Sequence, residues 1–251
     1  MTENRERRPR RLTRGLLIGS AVAVVVIGVG VIVGPRLYAQ QVNGSAAAAP
    51  TLSSGARSGS TAGSGSGGSA GTGRLTSAES TGSWAATGSS FAGYRVHEVL
   101  QGQNVNVVGR TKKVSADVAL DAGRLSSGTV TVQVGDISTP ESARDAYFRG
   151  TALQTQKFPE ATFVVTKPVD LSAALAGSST TVAVPGRLTL HGVTRAETFE
   201  AQVGVDGDDL QVVGSIPIAF ADFGVSAPSL GFVTVDDHGA VEVSLSLKKG
   251  S

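Results

Sequence analysis

Residues 182–205 read VAVPGRLTLHGVTRAETFEAQVGV and carry the clearest signal of fold class in this chain of 251 residues. Apolar and polar residues alternate on both sides of the pair His191-Gly192, which is the period of a strand with one buried face. The apolar face comprises Leu188, Leu190, Phe199, Ala201, Val203 and Val205, and the polar face comprises Arg187, Thr189, Glu200 and Gln202. Two such strands around a short turn predict a half-buried antiparallel hairpin.

The same alternation recurs through the C-terminal two thirds of the chain. It predicts strands over 91–99, 105–109, 114–120, 129–134, 161–167, 180–190, 196–205, 210–220 and 241–248. Many short strands separated by Gly- and Asp-marked turns are typical of a barrel or a sandwich. A helical insertion is predicted over 139–148, where Thr139 is expected to cap the helix and Pro140 to occupy its first position. A second short helical turn is predicted over 171–175.

The N-terminal part of the chain has the features of a membrane anchor. Residues 15–34 contain no charged side chain, and a helix of this length, at about 1.5 Å per residue, spans the hydrocarbon core. Six arginines against two glutamates precede it, in a basic tail over 1–14, so the N-terminus is expected to be cytoplasmic. The alternative is a cleaved signal peptide, but Leu37-Tyr38-Ala39 is a poor cleavage site. We therefore predict a single-pass protein of the cell membrane with an extracytoplasmic C-terminal domain.

Composition divides the remainder of the chain into a linker and a domain. Residues 35–80 are rich in Gly, Ser, Ala and Thr, which predicts a flexible tether, and residues 81–251 form the predicted barrel. From residue 81 onward, thirteen Lys and Arg stand against seventeen Asp and Glu, so the domain lacks the basic surface of a nucleic-acid-binding protein. The absence of cysteine excludes disulfides, thiolate metal sites and thiol nucleophiles.

Several motifs in one order point to a family. They are Gly186 to Arg195 (GRLTLHGVTR), Arg144-Asp145 with Arg149, Phe158-Pro159 with Thr162-Phe163, and Asp222-Phe223-Gly224. With these motifs the domain resembles the YceI-like family of lipocalin-type barrels, which bind polyisoprenoid lipids. The resemblance implies an all-β fold, an antiparallel eight-stranded barrel with a short helical insertion. It also implies a non-enzymatic function without a cofactor, in which the barrel holds a polyisoprenoid or similar apolar chain for storage or transfer.

The candidate ligand-binding residues are the aromatic side chains of the domain and a group of charges. The expected apolar lining comprises Phe91, Tyr94, Phe148, Phe158, Phe163, Phe199, Phe220, Phe223 and Phe232, and the expected polar mouth comprises Arg144, Asp145 and Arg149. Each buried CH₂ of a lipid contributes about 0.8 kcal/mol, so no catalytic group is needed for binding. The alternatives are that the aromatic residues fill a dry core and that the charges cap a helix or form surface ion pairs.

No catalytic or metal site is predicted. His191 suits the geometry of a hairpin turn, and neither His97 nor His238 has the spacing of a zinc ligand. Two other functions remain open: an interaction or stress-response module with a solid barrel, and a hydrolase or isomerase that uses His191 with Asp145 or Asp222. The oligomeric state also remains open, with a homodimer as one alternative.

Overall fold

The structure is a computed structural model that describes residue 40 and residues 43–44, 46–52, 73–229 and 231–250. The predicted basic tail over 1–14 and the predicted anchor over 15–34 lie outside these residues. Within the described part of the chain, none of the helices combines the length and the apolar character needed to cross a bilayer.

The described chain consists mainly of strands, with three short helices within residues 73–250. The strands are β1 Gly82–Ala86, β2 Phe91–Leu100, β3 Gln103–Thr111, β4 Val114–Asp121, β5 Arg124–Gln133, β6 Glu160–Val165, β7 Val169–Asp170, β8 Thr180–Leu190, β9 Val193–Asp206, β10 Asp209–Ala219, β11 Val233–Val235 and β12 His238–Lys249. The helices are α1 Ser77–Ser80, α2 Ser142–Tyr147 and α3 Ser172–Leu175, and a π-helical turn over Phe148–Ala152 follows α2. Single 3-10 turns lie at Val134–Asp136 and Phe220–Phe223.

The strands close into an antiparallel barrel. The ring runs β1, β4, β5, β6, β8, β9, β10 and β12, and β12 returns to β1 through the pairs Trp84 with Lys249 and Ala86 with Leu247. Closure leaves these strands without an open edge, as in small up-and-down barrels. The predicted all-β, eight-stranded antiparallel barrel is therefore confirmed.

The barrel is closed at one end and flared at the other. One edge of β12 pairs with β10. The other edge pairs with β1 from Leu247 to Lys249 and with β2 from Ala240 to Ser244. The chain leaves β1 at Ala86 and enters β2 at Phe91, so the wall changes strand at this break. Among the described strands, β3 pairs only with β2, and its one further bridge joins Arg110 to Ser138. This open side is where the helical insertion lies.

The predicted hairpin over 182–205 is present as β8 and β9. Leu190 pairs with Val193, so the loop contains only His191 and Gly192, whose φ angles are 52° and 77°. Positive φ at both positions is the requirement of a type I′ turn, which suits the twist of the flanking strands. A Cβ on Gly192 would also lie 2.5 Å from the ring of Phe158, so glycine is needed here for space as well as for conformation.

The predicted start of the helical insertion is wrong. Helix α2 begins at Ser142, and its N-cap is Glu141 rather than Thr139. The backbone N–H and the hydroxyl of Thr139 donate instead to Asp145 Oδ1, at 3.0 and 2.9 Å. The carboxylate of Asp145 thus holds the preceding loop, because it accepts both of these hydrogen bonds and a charged acceptor forms the stronger ones.

Residues 73–80, which composition places in the flexible linker, are ordered against the barrel. Thr76 and Glu79 form a capping box at the start of α1, and the indole N–H of Trp84 donates to the carbonyl of Ser80 at 2.8 Å. The N–H of Leu75 donates to the carbonyl of Leu175 on α3. Residues 73–80 therefore belong to the folded unit, although they precede the boundary predicted at residue 81.

Candidate functional site

Two cavities within the described part of the barrel differ greatly in size. The cavity at the flared end has a volume of about 520 Å³ and opens to solvent, whereas the cavity at the closed end has a volume of about 70 Å³. We refer to them as the open-end cavity and the closed-end cavity. Ligand pockets of proteins commonly occupy roughly 300 to 1,000 Å³, so the open-end cavity is the candidate site.

Strand β2 supplies one wall of the open-end cavity. Its inward residues follow the alternation of the strand and line the cavity: Ala92, Tyr94, Val96, Glu98 and Leu100. The wall opposite β2 contains a short side chain as well, because the inward residue Ala161 on β6 is also part of the lining. Small inward residues on opposite walls leave the space that larger ones would fill.

The helical insertion covers the gap beside β3. The ring of Phe148 stacks on that of Tyr94, with centroids 4.9 Å apart and planes inclined by 17°. Leu153 at the end of the π-helical turn is buried and also lines the cavity. The bond from Thr139 to Asp145 fixes this insertion in place, so that Tyr147 and Phe148 reach the cavity.

A single ion pair interrupts the apolar lining. Arg144 Nη2 lies 2.8 Å from Glu98 Oε1, and the Glu98 side chain is 6% exposed. Arg95 also borders the cavity, but its guanidinium binds Glu242 on the outer face. Burial raises the pKa of Tyr94 to about 12; the Arg144 guanidinium opposes this shift, and the carboxylates of Asp145 and Glu98 reinforce it. The phenol beside the ion pair is therefore neutral at physiological pH.

The predicted aromatic residues fall into three places. Tyr94, Phe148, Phe220, Phe223 and Phe232 line the open-end cavity, and Phe163 and Phe199 line the closed-end cavity. Phe91 and Phe158 line neither cavity. Phe91 lies under the Arg110 guanidinium, 4.5 Å from the ring centroid, and Phe158 lies against the ring of His191. The structure thus brings five of the nine together at one site.

The three predicted polar residues also separate. Arg144 borders the cavity, Asp145 is buried and binds Thr139, and Arg149 lies outside the lining. Sequence reasoning missed Glu98 as a site residue. The alternation of β2 could have identified Glu98, because residues two apart on a strand point to the same face and Glu98 follows Tyr94 and Val96 at this spacing.

His191 is placed by packing and by the turn. Its Nδ1 lies 3.1 Å from the carbonyl oxygen of Phe223, which makes Nδ1 the protonated ring nitrogen, and its Nε2 is buried without a hydrogen-bond partner. Within the described residues, its ring makes no hydrogen bond to Asp145 or Asp222. No group of three or more metal-ligating side chains occurs in that same part of the chain.

The fold and the cavity define a class of protein, a lipocalin-like β-barrel that is hollow at one end. The family model described as YceI-like domain matches residues 85–247 of the chain. Since this match covers well over half of the sequence, the chain belongs to the YceI-like family.

Relatives and one solved structure agree with this assignment. A UPF0312 protein of Shewanella sp. (strain MR-4) is 33% identical over 128 residues, which cover 47% of this chain and 64% of the relative. A UPF0312 protein of Vibrio campbellii is 32% identical over 142 residues, which cover 53% of this chain and 72% of the relative. The chain thus spans about two thirds of the length of these relatives.

The structure described as a polyisoprenoid binding domain from Saccharophagus degradans, implicated in plant cell wall breakdown, has the same fold. Its TM-score is 0.54 at 20% identity, and the alignment covers 68% of this chain and 99% of that one.

Proposed function

We propose that this protein is a membrane-anchored, extracytoplasmic lipid-binding protein that holds a polyisoprenoid or similar apolar chain for storage or transfer. The observation that carries the proposal is the open-end cavity, which combines a volume of about 520 Å³ with an almost entirely apolar lining and an opening to solvent. The polyisoprenoid-binding description of the Saccharophagus degradans domain supports the choice of ligand.

The energetics of such a site favour a long apolar chain. At about 0.8 kcal/mol for each CH₂ withdrawn from water, a segment of ten carbons contributes about 8 kcal/mol before the costs of binding. The alternative function, an interaction or stress-response module, goes with a solid barrel that has no such space. In this barrel the closed end is packed in that way.

The charges around the cavity favour a ligand with an uncharged polar end. Among the described residues that line it, Glu98 and Glu141 are acidic, and the guanidinium that faces it is that of Arg144. Arg144 is already paired with Glu98, so a diphosphate at this guanidinium would lie beside a buried carboxylate of the same charge. A hydroxyl or a carbonyl can instead bond to the pair without separating it.

The membrane location is supported by the sequence of residues 15–34 and by the arginines before them. An anchored barrel remains near the bilayer, where isoprenoid chains are stored. Anchoring therefore raises the local concentration of ligand without any change in the affinity of the site.

Native mass spectrometry of the full chain, extracted from membranes in mild detergent, tests the proposal. We expect a co-purifying apolar mass with the natural sequence and a several-fold lower occupancy for Ala161→Phe, because the new ring fills the cavity that Ala161 lines. Thermal unfolding should show that the variant still folds, since the ring enters existing space.

Thr162→Phe is the matched control. Thr162 neighbours Ala161 on β6, so its side chain points to the outer face of the sheet. This variant carries the same added ring and should retain the lipid. Equal lipid content in the two variants, or no apolar mass with the natural sequence, would show that the cavity is not the binding site.

A further inference from the structure

A segment of the predicted linker lies ordered along the outside of the barrel. We call Asn43, Gly44 and residues 46–52 the strap. At its first residue, Asn43 Nδ2 donates to the carbonyl of Asn104, and Asn43 Oδ1 accepts from the N–H of Asn106, both at 2.8 Å. One side chain thereby satisfies two backbone groups on the free edge of β3.

The middle of the strap binds a buried charge cluster on the outer wall. Glu242 is 2% exposed and lies 2.5 Å from Arg95 Nε and 3.3 Å from Arg110 Nη2. The Nη2 groups of the two arginines donate to the carbonyls of Ala47 and Ala48, at 2.6 Å each. The carboxylate holds both guanidinium groups in position, and charge-assisted hydrogen bonds of this kind are the stronger ones in proteins.

The last residue of the strap packs onto β9. Leu52 is buried, its N–H donates to Gln202 Oε1 at 3.1 Å, and its Cδ1 lies against Gly204. Val213 pairs with Gln202 and so shares its outer face, yet it is only 1% exposed. At this point the strap therefore covers an apolar part of the outer wall of the barrel.

The two ends of the strap lie toward opposite ends of the barrel. Asn104 and Asn106 follow the β2–β3 turn at Gln101-Gly102, and the neighbouring Leu100 lines the open-end cavity. Gly204 instead lies two residues before the closed-end terminus of β9 at Asp206. Asn43, the N-terminal residue of the strap, therefore lies on the side of the cavity mouth.

We propose that the docked strap orients the barrel with its cavity mouth against the bilayer, so that the mouth rim is a membrane-docking surface. This inference rests on the anchor of the proposed function.

Residues 35–42 join the anchor to the strap and reach at most about 30 Å when fully extended. Strand β9, with 14 residues at about 3.3 Å each and a tilt of about 40°, gives the barrel a length of about 35 Å. A barrel standing on its closed end would stretch this connection almost fully, whereas a mouth-down barrel leaves it slack.

The mouth rim itself has an apolar contact to offer. Phe232 lines the cavity opening and is 58% exposed, and its carbonyl accepts a hydrogen bond from the N–H of Gln101 in the neighbouring turn. Aromatic side chains at such a position suit the interface between headgroups and acyl chains. A lipid would then pass from the bilayer into the cavity without crossing water.

The absence of cysteine allows a direct test with single labels on the full chain in liposomes. Gln101→Cys places a fluorophore in the β2–β3 turn at the mouth, and Asp208→Cys places the same fluorophore in the exposed β9–β10 turn at the closed end. With spin-labelled phospholipids as quenchers, we expect several-fold stronger quenching at position 101 than at position 208. Adding Leu52→Asp should release the strap and make the two positions similar, whereas the exposed neighbour Thr51→Asp should leave the difference intact.

The remaining outcomes each count against the inference in a recognisable way. Equal quenching at both positions, or stronger quenching at 208, in protein that floats with the liposomes overturns the orientation while leaving the anchor in place. Floating protein without quenching at either position also overturns it and indicates that the mouth faces a loading protein instead. Failure to float shows that the anchor itself is absent, and the lipid content measured by mass spectrometry then remains a separate test of the cavity.

Discussion

The two ends of the barrel share one sheet and one alternation of residues, yet one end is solid and the other is hollow. Six leucines line the closed-end cavity: Leu120, Leu125, Leu171, Leu210, Leu245 and Leu247. The open-end cavity has six alanines in its lining: Ala92, Ala143, Ala152, Ala161, Ala227 and Ala240. Alternation decides which residues point inward, but their size decides whether the interior is filled.

The course of the strands strengthens this difference. At the closed end β1 joins β4 to β12 directly, so the ring is tight. At the open end β2 takes the place of β1, and β3 turns away from the ring until the helical insertion fills the gap. The closed end can therefore supply stability while the open end keeps the space and the opening that a ligand needs.

If the closed end carries the stability, Trp84→Ala should have the largest effect on folding. Trp84 is 2% exposed and its indole N–H bonds to the buried residue Ser80. Loss of this side chain leaves a void and an unpaired carbonyl, and we expect the free energy of unfolding to fall by about 3 to 5 kcal/mol. Urea denaturation of the full chain measures this change.

Phe232→Ala is the matched control at the open end. It removes another large aromatic side chain, but one that is 58% exposed, so the free energy of unfolding should change by no more than about 0.5 kcal/mol. Similar losses for the two variants would contradict the division of the barrel into a stabilising end and a binding end.

The second largest effect is expected from the polar pair of the open-end cavity. Arg144→Leu leaves the buried Glu98 carboxylate without its partner. Breaking a fully buried pair costs roughly 3 to 5 kcal/mol, and since the Arg144 side chain is 21% exposed, we expect about 2 to 3 kcal/mol. Thermal and urea unfolding would show this loss.

Adding Glu98→Leu to Arg144→Leu sharpens the comparison, because the double variant removes both charges. Most of the lost stability should return, because neither charge of the pair is then left buried without its partner. A double variant as unstable as Arg144→Leu alone would mean that Arg144 acts through packing rather than through its charge.

The features of the fold that depend on local pattern were predictable. The alternation around His191-Gly192 fixes the turn and the two faces of β8 and β9, and the buried positions of Leu188 and Val203 follow from it. The family motifs then supply the closure of the sheet, which alternation alone leaves open between a barrel and a sandwich.

The features that depend on long-range contacts were not predictable from pattern. Strand β1 has Trp84 as its one large apolar residue among Gly, Ser and Ala, and it is a strand because β4 and β12 pair with it. Parity places Glu98 inside the barrel, but its partner Arg144 lies 46 residues away on a helix. Phe91 points outward because it precedes the inward residue Ala92 on β2, and a register error of one residue would have exchanged the two.

The smallest effect concerns the dryness of the open-end cavity and is measured at high pH. Burial raises the pKa of Tyr94 to about 12 from its usual 10.0. Below pH 10 the phenol is protonated in both the folded and the unfolded chain, so it adds no pH dependence. Between pH 10 and 12 only the unfolded chain loses the proton, so the free energy of unfolding should fall with rising pH, by about 1 kcal/mol at pH 11.

Tyrosinate absorbance and urea unfolding between pH 9 and 12 measure this difference against Tyr94→Phe, which lacks the late-titrating phenol and should lose that part of the pH dependence. Tyr147→Phe, which removes a phenol from the same cavity lining, is the control and should retain the late titration. A bound lipid excludes more water from the cavity and should delay the ionisation of Tyr94 further. If Tyr94 instead ionised near pH 10 in lipid-free protein, water would fill the open end freely, and the contrast between the two ends of the barrel would be one of polarity as well as of volume.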